Sequence, residues 1–222
     1  MGRGAMRICL AALLFRVLSG CCPVFIGDDR AEIAAIGDSI LSGGGSACKN
    51  MPGGRGGMPL YLSELLGEQV FSQALAGTTI MPGGYYDIPS QYEQVKLLRP
   101  TVRVIVVDGG YNDLYYAWEH GDLADEKTAA VSAAMADLLS AVHSDGYFSV
   151  VIGCHDNREI QDLDEPLAAL RNDYHAYATG FGFAYYDLQP LMQAHPEYYD
   201  DAIHLNDWGH KAFAEAVGAI LD

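Results

Sequence analysis

The sequence predicts an α/β protein, a three-layer α/β/α sandwich built on a parallel sheet of about five strands. Two observations carry this prediction. Short apolar runs alternate with helical segments about five times along the 222 residues, a pattern typical of a parallel sheet whose crossover helices cover both faces. The runs are also almost continuously apolar, as expected for strands that are buried on both sides.

The predicted strands are short apolar runs that end at glycine or at polar residues. The third is the clearest, because its segment Val-Arg-Val-Ile-Val-Val is β-branched and nearly all apolar. In chain order, the five strands are predicted at residues 31–36, 69–75, 102–107, 147–153 and 183–188.

The predicted helices have apolar residues at helical spacing and most stop near glycine or proline. They cover residues 59–66, 89–98, 126–143, 160–179, 190–195 and 207–221. Asn206 or Asp207 is the expected N-cap of the last helix. Residues 43–57 form a glycine-rich loop that we interpret as a flexible rim. Because this loop does not end in Gly-Lys-Ser or Gly-Lys-Thr, it is not a phosphate-binding loop.

The composition fits one domain with a sizeable core and an acidic surface. Half of the residues are hydrophobic, and no linker or internal repeat divides the chain. The formal net charge is −16 at pH 7, and it becomes −19 without the first 20 residues, which carry three arginines and no acid. So acidic a domain repels phosphate groups, which argues against nucleic acid and anionic lipid surfaces as partners.

The N-terminal segment, residues 1–28, differs from the domain that we expect at residues 29–222. A basic start, a short apolar run and Leu-Ser-Gly-Cys follow one another in an order that resembles a secretory signal peptide. The ending resembles the lipobox of bacterial lipoproteins, in which the cysteine, here Cys21, becomes lipidated. Arg16 departs from that pattern, because a charge so late weakens the apolar region. We expect export to the periplasm or cell envelope, and the alternative is an ordinary N-terminal extension. For an exported protein, a lipid anchor on Cys21 stays open.

Cys48 and Cys154 both follow predicted strands. In an exported protein they could form a disulfide bond, and the alternative is a pair of free thiols. The sequence contains no Cys-x-x-Cys motif and no cluster of cysteine and histidine, so it predicts no metal site.

Polar groups follow three of the predicted strands at the point where each strand ends. The first strand runs into Gly-Asp-Ser, which ends at Ser39, the second is followed by Gly77, and the third runs into Gly-Tyr-Asn-Asp, which contains Asn112. Near the C-terminus, Asp201 precedes His204 by three residues. Parallel strands bring their carboxyl ends to one edge of the sheet, where open α/β sheets bind ligands. Ser39 alone would be only a turn or cap residue, so its partners decide its role.

These five residues have the chemistry of nucleophilic catalysis. Serine needs a neighbouring base, and His204 can be that base because histidine titrates near the working pH. Asp201 can hold the imidazole in the required tautomer. The backbone N–H groups of Ser39 and Gly77 and the side-chain amide of Asn112 can converge on an oxyanion. The predicted catalytic residues are therefore Ser39, Asp201 and His204, and the predicted oxyanion hole consists of Ser39, Gly77 and Asn112.

The same residues resemble the SGNH (GDSL-type) hydrolases, a family of esterases and lipases. Four blocks occur in the family's order: Gly37-Asp38-Ser39, Gly77, Gly110-Tyr111-Asn112-Asp113 and Asp201-Ala202-Ile203-His204. The resemblance spans residue 33 to the C-terminus. Its second block departs from the family pattern, with Ser72 where an asparagine is common and Thr78 where an aspartate often follows the glycine. The resemblance implies a flavodoxin-like sandwich.

The resemblance also implies an activity, the hydrolysis of carboxylic esters through an acyl-enzyme on Ser39, with no metal or organic cofactor. Substrates within the family include lipid esters, thioesters and acetylated sugars. Export favours short-chain acyl or acetylated-carbohydrate esters as the small-molecule substrates. The alternative is a catalytically silent exported binding protein on the same fold.

Three further carboxylates have structural interpretations. We expect Asp38 to cap the helix after the first strand or to anchor the loop there. Asp113 should orient Asn112 or its loop. Asp200 competes with Asp201 as the partner of the histidine, and the spacing favours Asp201.

The remaining histidines and aromatic residues leave alternatives open. His210 is expected on the last helix, with a packing or hydrogen-bonding role. His155 and Asp156 follow the fourth strand and either contact substrate or lie in a solvated loop. A group of aromatic residues is predicted in the loops after the second and third strands, where it either lines a pocket or covers the end of the sheet: Tyr85, Tyr86, Tyr111, Tyr115, Tyr116 and Trp118.

Overall fold

The computed structural model describes residues 31–44, 57–83 and 86–222. Within them, one parallel sheet has the strand order β2-β1-β3-β4-β5. Each strand lies inside its predicted range and is shorter than predicted, so the α/β class and the five-stranded parallel sheet are confirmed. The strands are β1 (Ile33–Ile36), β2 (Val70–Ser72), β3 (Val104–Val107), β4 (Phe148–Gly153) and β5 (Ala184–Asp187).

The strand order places a topological switch point at the end of β1. This strand has β2 on one side and β3 on the other, so the chain winds away from it in both directions. Ligands of open α/β sheets bind at this point, outside the carboxyl ends of the strands. Ile36 pairs with Val107, and Val107 with Val151. The residues that follow β1, β3 and β4 therefore emerge at one level.

Eight α-helices surround the sheet in the described ranges. Right-handed crossovers place the second helix on one face of the sheet and the third, fifth and sixth on the other. The last helix follows β5 and packs against the second helix, so helices cover both faces and the three-layer sandwich is confirmed. The helices are α1 (Ser39–Ser42), α2 (Gly57–Leu66), α3 (Ile88–Leu98), α4 (Tyr111–Glu119), α5 (Asp125–Ser144), α6 (Asp164–Phe181), α7 (Gln189–Ala194) and α8 (Asp207–Leu221). Helix α2 packs against α8, and α5 packs against α6.

The core lies between the sheet and these helices. Every residue of β1 is buried, and its small members Ala34 and Ala35 let the helices approach the sheet closely. The β-branched residues of β4 are buried as well, and so are those of β3 except Val104, which is half-buried. Burial on both faces is the reason that these strands appear in the sequence as continuous apolar runs.

The segment after β3 differs from its prediction, because it forms the helix α4 and not a loop. Gly110, with φ at 97°, turns the chain directly from strand to helix, a backbone conformation that glycine adopts without strain. Asn112 and Asp113 occupy buried positions of α4, so the apolar periodicity that normally reveals a helix is absent. The aromatic residues from Tyr111 to Trp118 therefore belong to a helix.

In the described ranges, no helix has the length and apolar character needed to cross a membrane. Several predictions fall outside those ranges: the signal-like segment, Cys21, Cys48, Tyr85 and most of the glycine-rich loop.

Candidate active site

Ser39 is the first residue of α1, at the carboxyl end of β1. We refer to residues 37–39 as the nucleophile turn. The carboxylate of Asp38 accepts the N–H of Ile40 at 2.9 Å, so Asp38 is the helix cap that the sequence predicts. Ser39 is 8% exposed. The nucleophile turn is therefore an ordered, largely buried part of the sheet edge.

The backbone of Gly37 is held by side chains from two other segments. Gln91 of α3 accepts the Gly37 N–H at 2.7 Å and donates its own amide to the Gly37 carbonyl at 2.9 Å. Thr78 donates its hydroxyl to the same carbonyl, also at 2.9 Å. Both side chains are buried. These bonds fix the nucleophile turn and tie it to the segment that contains Gly77.

Two buried carboxylates, Asp38 and Asp108, lie side by side at this turn. The Asp38 N–H donates to Oδ1 of Asp108 at 3.1 Å. Burial raises the pKa of Asp38 to about 6, although the Ile40 hydrogen bond and the nearby His204 oppose the rise. Burial first, and the charge of Asp38 second, raise the pKa of Asp108 well above its usual range. The pair thus retains a proton at a pH where an exposed carboxylate has lost it.

Asp201 and His204 face each other within residues 199–206, which we call the base loop. Oδ2 of Asp201 lies 2.7 Å from Nδ1 of His204. Oδ1 accepts the N–H groups of His204 and Ile203, at 2.7 and 2.9 Å. Partial burial would raise the pKa of Asp201, but these hydrogen bonds and the imidazole lower it to about 2. Asp201 is therefore an ionised acceptor for Nδ1–H, and the choice of Asp201 over Asp200 as partner is confirmed.

The imidazole of His204 packs against Gly44, two residues after the end of α1. A β-carbon added to Gly44 would lie 2.9 Å from Nε2 of His204 and would overlap its Cδ2. The N–H of Gly44 in turn donates to the Ser39 carbonyl at 2.7 Å. Within the described ranges, no direct hydrogen bond joins the Ser39 hydroxyl to His204. Such bonds are often long in the absence of substrate and shorten in the Michaelis complex.

Asn112 links the nucleophile turn to the segment after β2. Its side-chain amide donates to Oδ2 of Asp38 at 3.2 Å and to the carbonyl of Thr78 at 2.9 Å. Asp38 and Thr78 are the sequence neighbours of Ser39 and Gly77, so the three predicted oxyanion donors lie in one place. Both hydrogens of the amide have acceptors. An oxyanion would therefore have to share a hydrogen with Asp38 or Thr78.

Asp113 holds the loop that follows β2. Its carboxylate accepts the N–H groups of Ile80 and Met81, at 2.8 and 3.1 Å. This is the loop-orienting role, one of the two that the sequence predicts for Asp113.

His155 is buried beneath the base loop, so the predicted solvated loop is wrong for it. It is 1% exposed, and its Nε2 lies 2.6 Å from the carbonyl oxygen of Ile203. A carbonyl oxygen only accepts, so Nε2 carries a hydrogen. Burial lowers the pKa of His155 to about 4. The histidine is out of reach of solvent because the chain of the base loop crosses over the end of β4.

Asp156 lies in a half-buried loop, where a network of hydrogen bonds holds it. Arg171 of α6 lies 2.6 Å from Oδ1 of Asp156 and donates to the carbonyl of Cys154 at 3.0 Å. Gln189 exchanges two hydrogen bonds with Asp156, at 2.5 and 2.7 Å. The segment that carries His155 is thereby anchored to α6 and α7.

The aromatic residues of α4 include a buried ring that covers the end of the sheet, one of the two predicted roles, and the pocket-lining role stays a prediction. Tyr111 is buried, stacks on Tyr115 at 6.1 Å between ring centroids and covers the end of the sheet. Tyr116 is 39% exposed, and its hydroxyl donates to the carbonyl of Gly77 at 3.3 Å. An exposed aromatic side chain therefore borders the predicted oxyanion hole.

A small cavity of about 10 Å³ lies behind the nucleophile turn, between the ends of β1, β3 and β4. It has room for about one water-sized group. Residues from all three strand ends line it, among them Asp38, Asp108, Tyr111, Cys154 and His155.

Cys154 has a free thiol that donates to the carbonyl of Gly109 at 3.2 Å. Its proposed partner Cys48 is outside the described residues. Over the ranges that the structure describes, no group of three or more His, Cys, Asp or Glu side chains could hold a metal ion.

A family model described as GDSL-like lipase/acylhydrolase matches residues 35–212. The match covers most of the chain, so the protein belongs to this family, and the family resemblance is confirmed. Membership places the protein among the acylhydrolases, which act on esters.

Solved structures support the same fold, whereas no curated protein sequence is significantly similar. An acetyl xylan esterase is 17% identical with a TM-score of 0.63, over 86% of this chain and 99% of that chain. A carbohydrate acetylesterase from Sinorhizobium meliloti is 14% identical with a TM-score of 0.65, over 86% and 98%. The aryl esterase of M. smegmatis is 14% identical with a TM-score of 0.64, also over 86% and 98%. At these identities the likeness is one of fold.

The sequence interpretation missed two residues of the site, Gln91 and Asp108. Asp108 had one signal, its position directly after a buried strand at the same sheet edge as Ser39. Gln91 had none, because a single polar residue on an amphipathic helix is ordinary. Only the packing of α3 against the end of β1 gives it a role.

Proposed function

We propose that the protein hydrolyses carboxylic esters through an acyl-enzyme formed on Ser39. The observation that carries this proposal is the placement of His204. One side of its imidazole is hydrogen-bonded to the ionised Asp201. The other side packs against Gly44, whose N–H donates to the carbonyl of Ser39. This arrangement gives Ser39 a base whose Nδ1 is held by Asp201 and whose Nε2 can accept a proton.

In the proposed reaction, the Ser39 hydroxyl oxygen attacks the ester carbonyl carbon while Nε2 of His204 takes the hydroxyl proton. The tetrahedral intermediate collapses, its bond to the alcohol breaks, and His204 returns the proton to the leaving oxygen. Water then attacks the acyl carbonyl carbon while His204 takes a proton from the water. The bond between the acyl group and the Ser39 oxygen breaks, His204 returns the proton to Ser39, and the acid is released. Asp201 stabilises the imidazolium that forms in each half of the reaction.

The oxyanion of each tetrahedral intermediate needs donors that are already in place. We assign this role to the backbone N–H groups of Ser39 and Gly77 and to the side-chain amide of Asn112. The amide is oriented by Asp38 and Thr78. Because the orientation exists without substrate, little reorganisation is needed as charge develops.

Short-chain acyl or acetylated-carbohydrate esters are the favoured substrates. Two of the structures with a similar fold are, by name, esterases of acetylated carbohydrates. The exposed ring of Tyr116 beside Gly77 offers an apolar surface to a ring-shaped alcohol. The net charge of −16 favours neutral alcohols over anionic ones. A panel of esters that varies acyl length and alcohol separately tests this choice, and a preference for long acyl chains would contradict it.

The mechanism is tested by Ser39→Ala against a small chromogenic ester. Loss of the nucleophile should lower kcat by about 10⁶. The matched control is Ser140→Ala, the same chemical change on the exposed face of α5, and it should keep wild-type turnover. Near-wild-type turnover by Ser39→Ala would refute the mechanism.

Fluorophosphonate labelling separates the enzyme from a silent binding protein on the same fold. A catalytic Ser39 should be modified in the wild type, and labelling should disappear in Ser39→Ala. A wild-type protein that is folded but neither labelled nor active on the ester panel would favour the binding protein.

We further propose that residues 1–28 direct export and that Cys21 receives the lipid. The support is the order of basic, apolar and Leu-Ser-Gly-Cys segments in the sequence. Cell fractionation with metabolic fatty-acid labelling tests both points. Export without the fatty-acid label would indicate an ordinary cleaved signal peptide and contradict lipidation. If the product is labelled, the label should disappear in Cys21→Ser.

A further inference from the structure

His210 is a fully buried histidine near the start of α8. Its Nε2 lies 3.1 Å from the carbonyl oxygen of Gly44, 166 residues away in the sequence. Because a carbonyl oxygen only accepts, Nε2 of His210 carries a hydrogen. Burial lowers the pKa of His210 to about 4. The ring is therefore neutral at neutral pH, and its Nε2 acts as a fixed donor to Gly44.

Gly44 is the point where three parts of the site meet. Its N–H donates to the carbonyl of Ser39 at 2.7 Å. Its α-carbon faces the imidazole of His204 so closely that no β-carbon would fit. Its carbonyl oxygen is the acceptor for His210. The backbone of Gly44 thus forms a wall against one side of the imidazole, just after the end of α1, and His210 holds that wall.

The packing around His210 leaves the wall little freedom to move. A β-carbon on Gly57, the first residue of α2, would overlap the α-carbon of Gly43 and would lie 3.2 Å from Cε1 of His210. Close-packed interiors transmit displacements instead of absorbing them. A change at His210 should therefore move Gly43 and Gly44 as well.

We propose that His210 is a positioning residue for His204: it holds Gly44 against one side of the imidazole while Asp201 binds the other. This inference rests on the proposed function, in which Nε2 of His204 must face Ser39. The bond to Asp201 fixes Nδ1 but leaves the ring free to turn about that bond. The wall at Gly44 removes this freedom.

Two substitutions of His210 separate hydrogen bonding from bulk. His210→Gln keeps a donor at nearly the same distance from the backbone, whereas His210→Phe fills the space without a donor. We expect His210→Phe to lower kcat and the rate of fluorophosphonate labelling about 10- to 100-fold, since a misplacement of about 1 Å can cost that much. KM should change little, and His210→Gln should stay within about threefold of the wild type.

Phe213→Leu is the control for packing of the same helix. Phe213 is buried on α8 and stacks on Tyr186, away from Gly44. It should lower the thermal midpoint while labelling of the folded protein stays normal. Wild-type labelling by folded His210→Phe, or equal losses in His210→Phe and His210→Gln at equal stability, would overturn the positioning role.

A measurement that needs no activity separates this proposal from the proposed function. The Nδ1 proton of His204, bonded to Asp201, should give a downfield NMR signal in the wild type and in His210→Gln. It should be broadened or lost in His210→Phe. An unchanged signal in His210→Phe overturns the positioning role even if the protein hydrolyses no ester. A wild type with the signal but without labelling or turnover contradicts the proposed function alone.

Gly44→Ala keeps the inference testable if His210→Phe does not fold. The methyl group that this substitution adds would press directly on the imidazole of His204, while His210 stays intact. We expect the same loss of signal and labelling. Gly180→Ala, in open space on α6, is the matched control and should have neither effect. Normal labelling and an unchanged His204 signal in Gly44→Ala would contradict the wall.

Discussion

The two halves of the site are built differently. The nucleophile turn is buried, with Ser39 8% exposed, and side chains from α3 and from the segments after β2 and β3 hold its backbone. The base loop is partly in solvent, with the side chains of Asp201 and His204 exposed by 51% and 28%. Asp201 binds only within its own loop in the described contacts. Ser39, the proposed nucleophile, is therefore positioned by the sheet, and His204, the proposed base, by a few specific hydrogen bonds.

This difference has a consequence for stability. Elements with few buried contacts open more readily than the core, so the base loop should be the half that loses its geometry first. Its bonds to the body of the protein include one from His155 to the carbonyl of Ile203 and one from the Arg158 N–H to Ala202. Damage to the base loop should reduce activity with little effect on folding, whereas damage to the nucleophile turn should affect both.

After the loss of Ser39 itself, the largest effect is expected at the exposed half, in Asp201→Asn. The amide cannot hold the imidazole in the tautomer that the reaction needs, and an equivalent loss lowers kcat by about 10⁴ in triad enzymes. The thermal midpoint should change little, because Asp201 is mostly in solvent. Asp200→Asn is the neighbouring control. Equal losses in the two variants would contradict the assignment of Asp201.

Asn112→Ala tests the amide that links the nucleophile turn to the segment after β2. We expect kcat to fall by about 10² to 10³, the usual cost of one oxyanion donor, with KM nearly unchanged. Asn172→Ala, on an exposed position of α6, is the control. A loss in KM alone would indicate that Asn112 binds substrate but does not stabilise the oxyanion.

Gln91→Met tests whether the nucleophile turn depends on the buried clamp. The substitution keeps the length of the side chain but leaves the Gly37 N–H without its acceptor. A buried unpaired group costs about 1–3 kcal/mol of unfolding free energy, and turnover should fall with it. Urea unfolding and steady-state rates measure both, with Gln94→Met on the same helix as control. A loss of turnover at unchanged stability would contradict the claim that damage to the nucleophile turn affects both activity and folding.

The smallest effect is expected in the pH dependence of stability, tested by His155→Gln. The pKa of His155 is about 4 in the fold and about 6.5 when unfolded. Between these values the unfolded state binds the extra proton, so the free energy of unfolding falls as the pH falls. Removing this titration should make the variant less acid-sensitive by about 2 kcal/mol between about pH 7 and about pH 4.5.

Urea unfolding at both pH values measures that difference. Asp38 contributes in the opposite direction, because its raised pKa favours the folded state at acid pH, but it is present in both proteins and cancels in the comparison. An identical pH dependence in wild type and variant would show that His155 is not held neutral by the fold.

Local patterns explain why much of the site could be predicted. Asp201 and His204 are three residues apart and meet within one loop, and Asp38 caps a helix that begins at the next residue. Helix α4 was missed because its buried face carries Asn112 and Asp113, which hide the apolar period. His155 was misjudged because a histidine after a strand has the same local sequence whether another loop covers it or not.

The sequence by itself determined the strands, their parallel arrangement and the five chemical groups at the sheet edge, because these depend on short-range periodicity and on the geometry of parallel sheets. Only the tertiary structure decided which side chains hold those groups. Gln91 reaches Gly37 across 54 residues, and His210 reaches Gly44 across 166. Such contacts arise when buried polar atoms must find partners in a packed interior, and no local pattern records which partner they find.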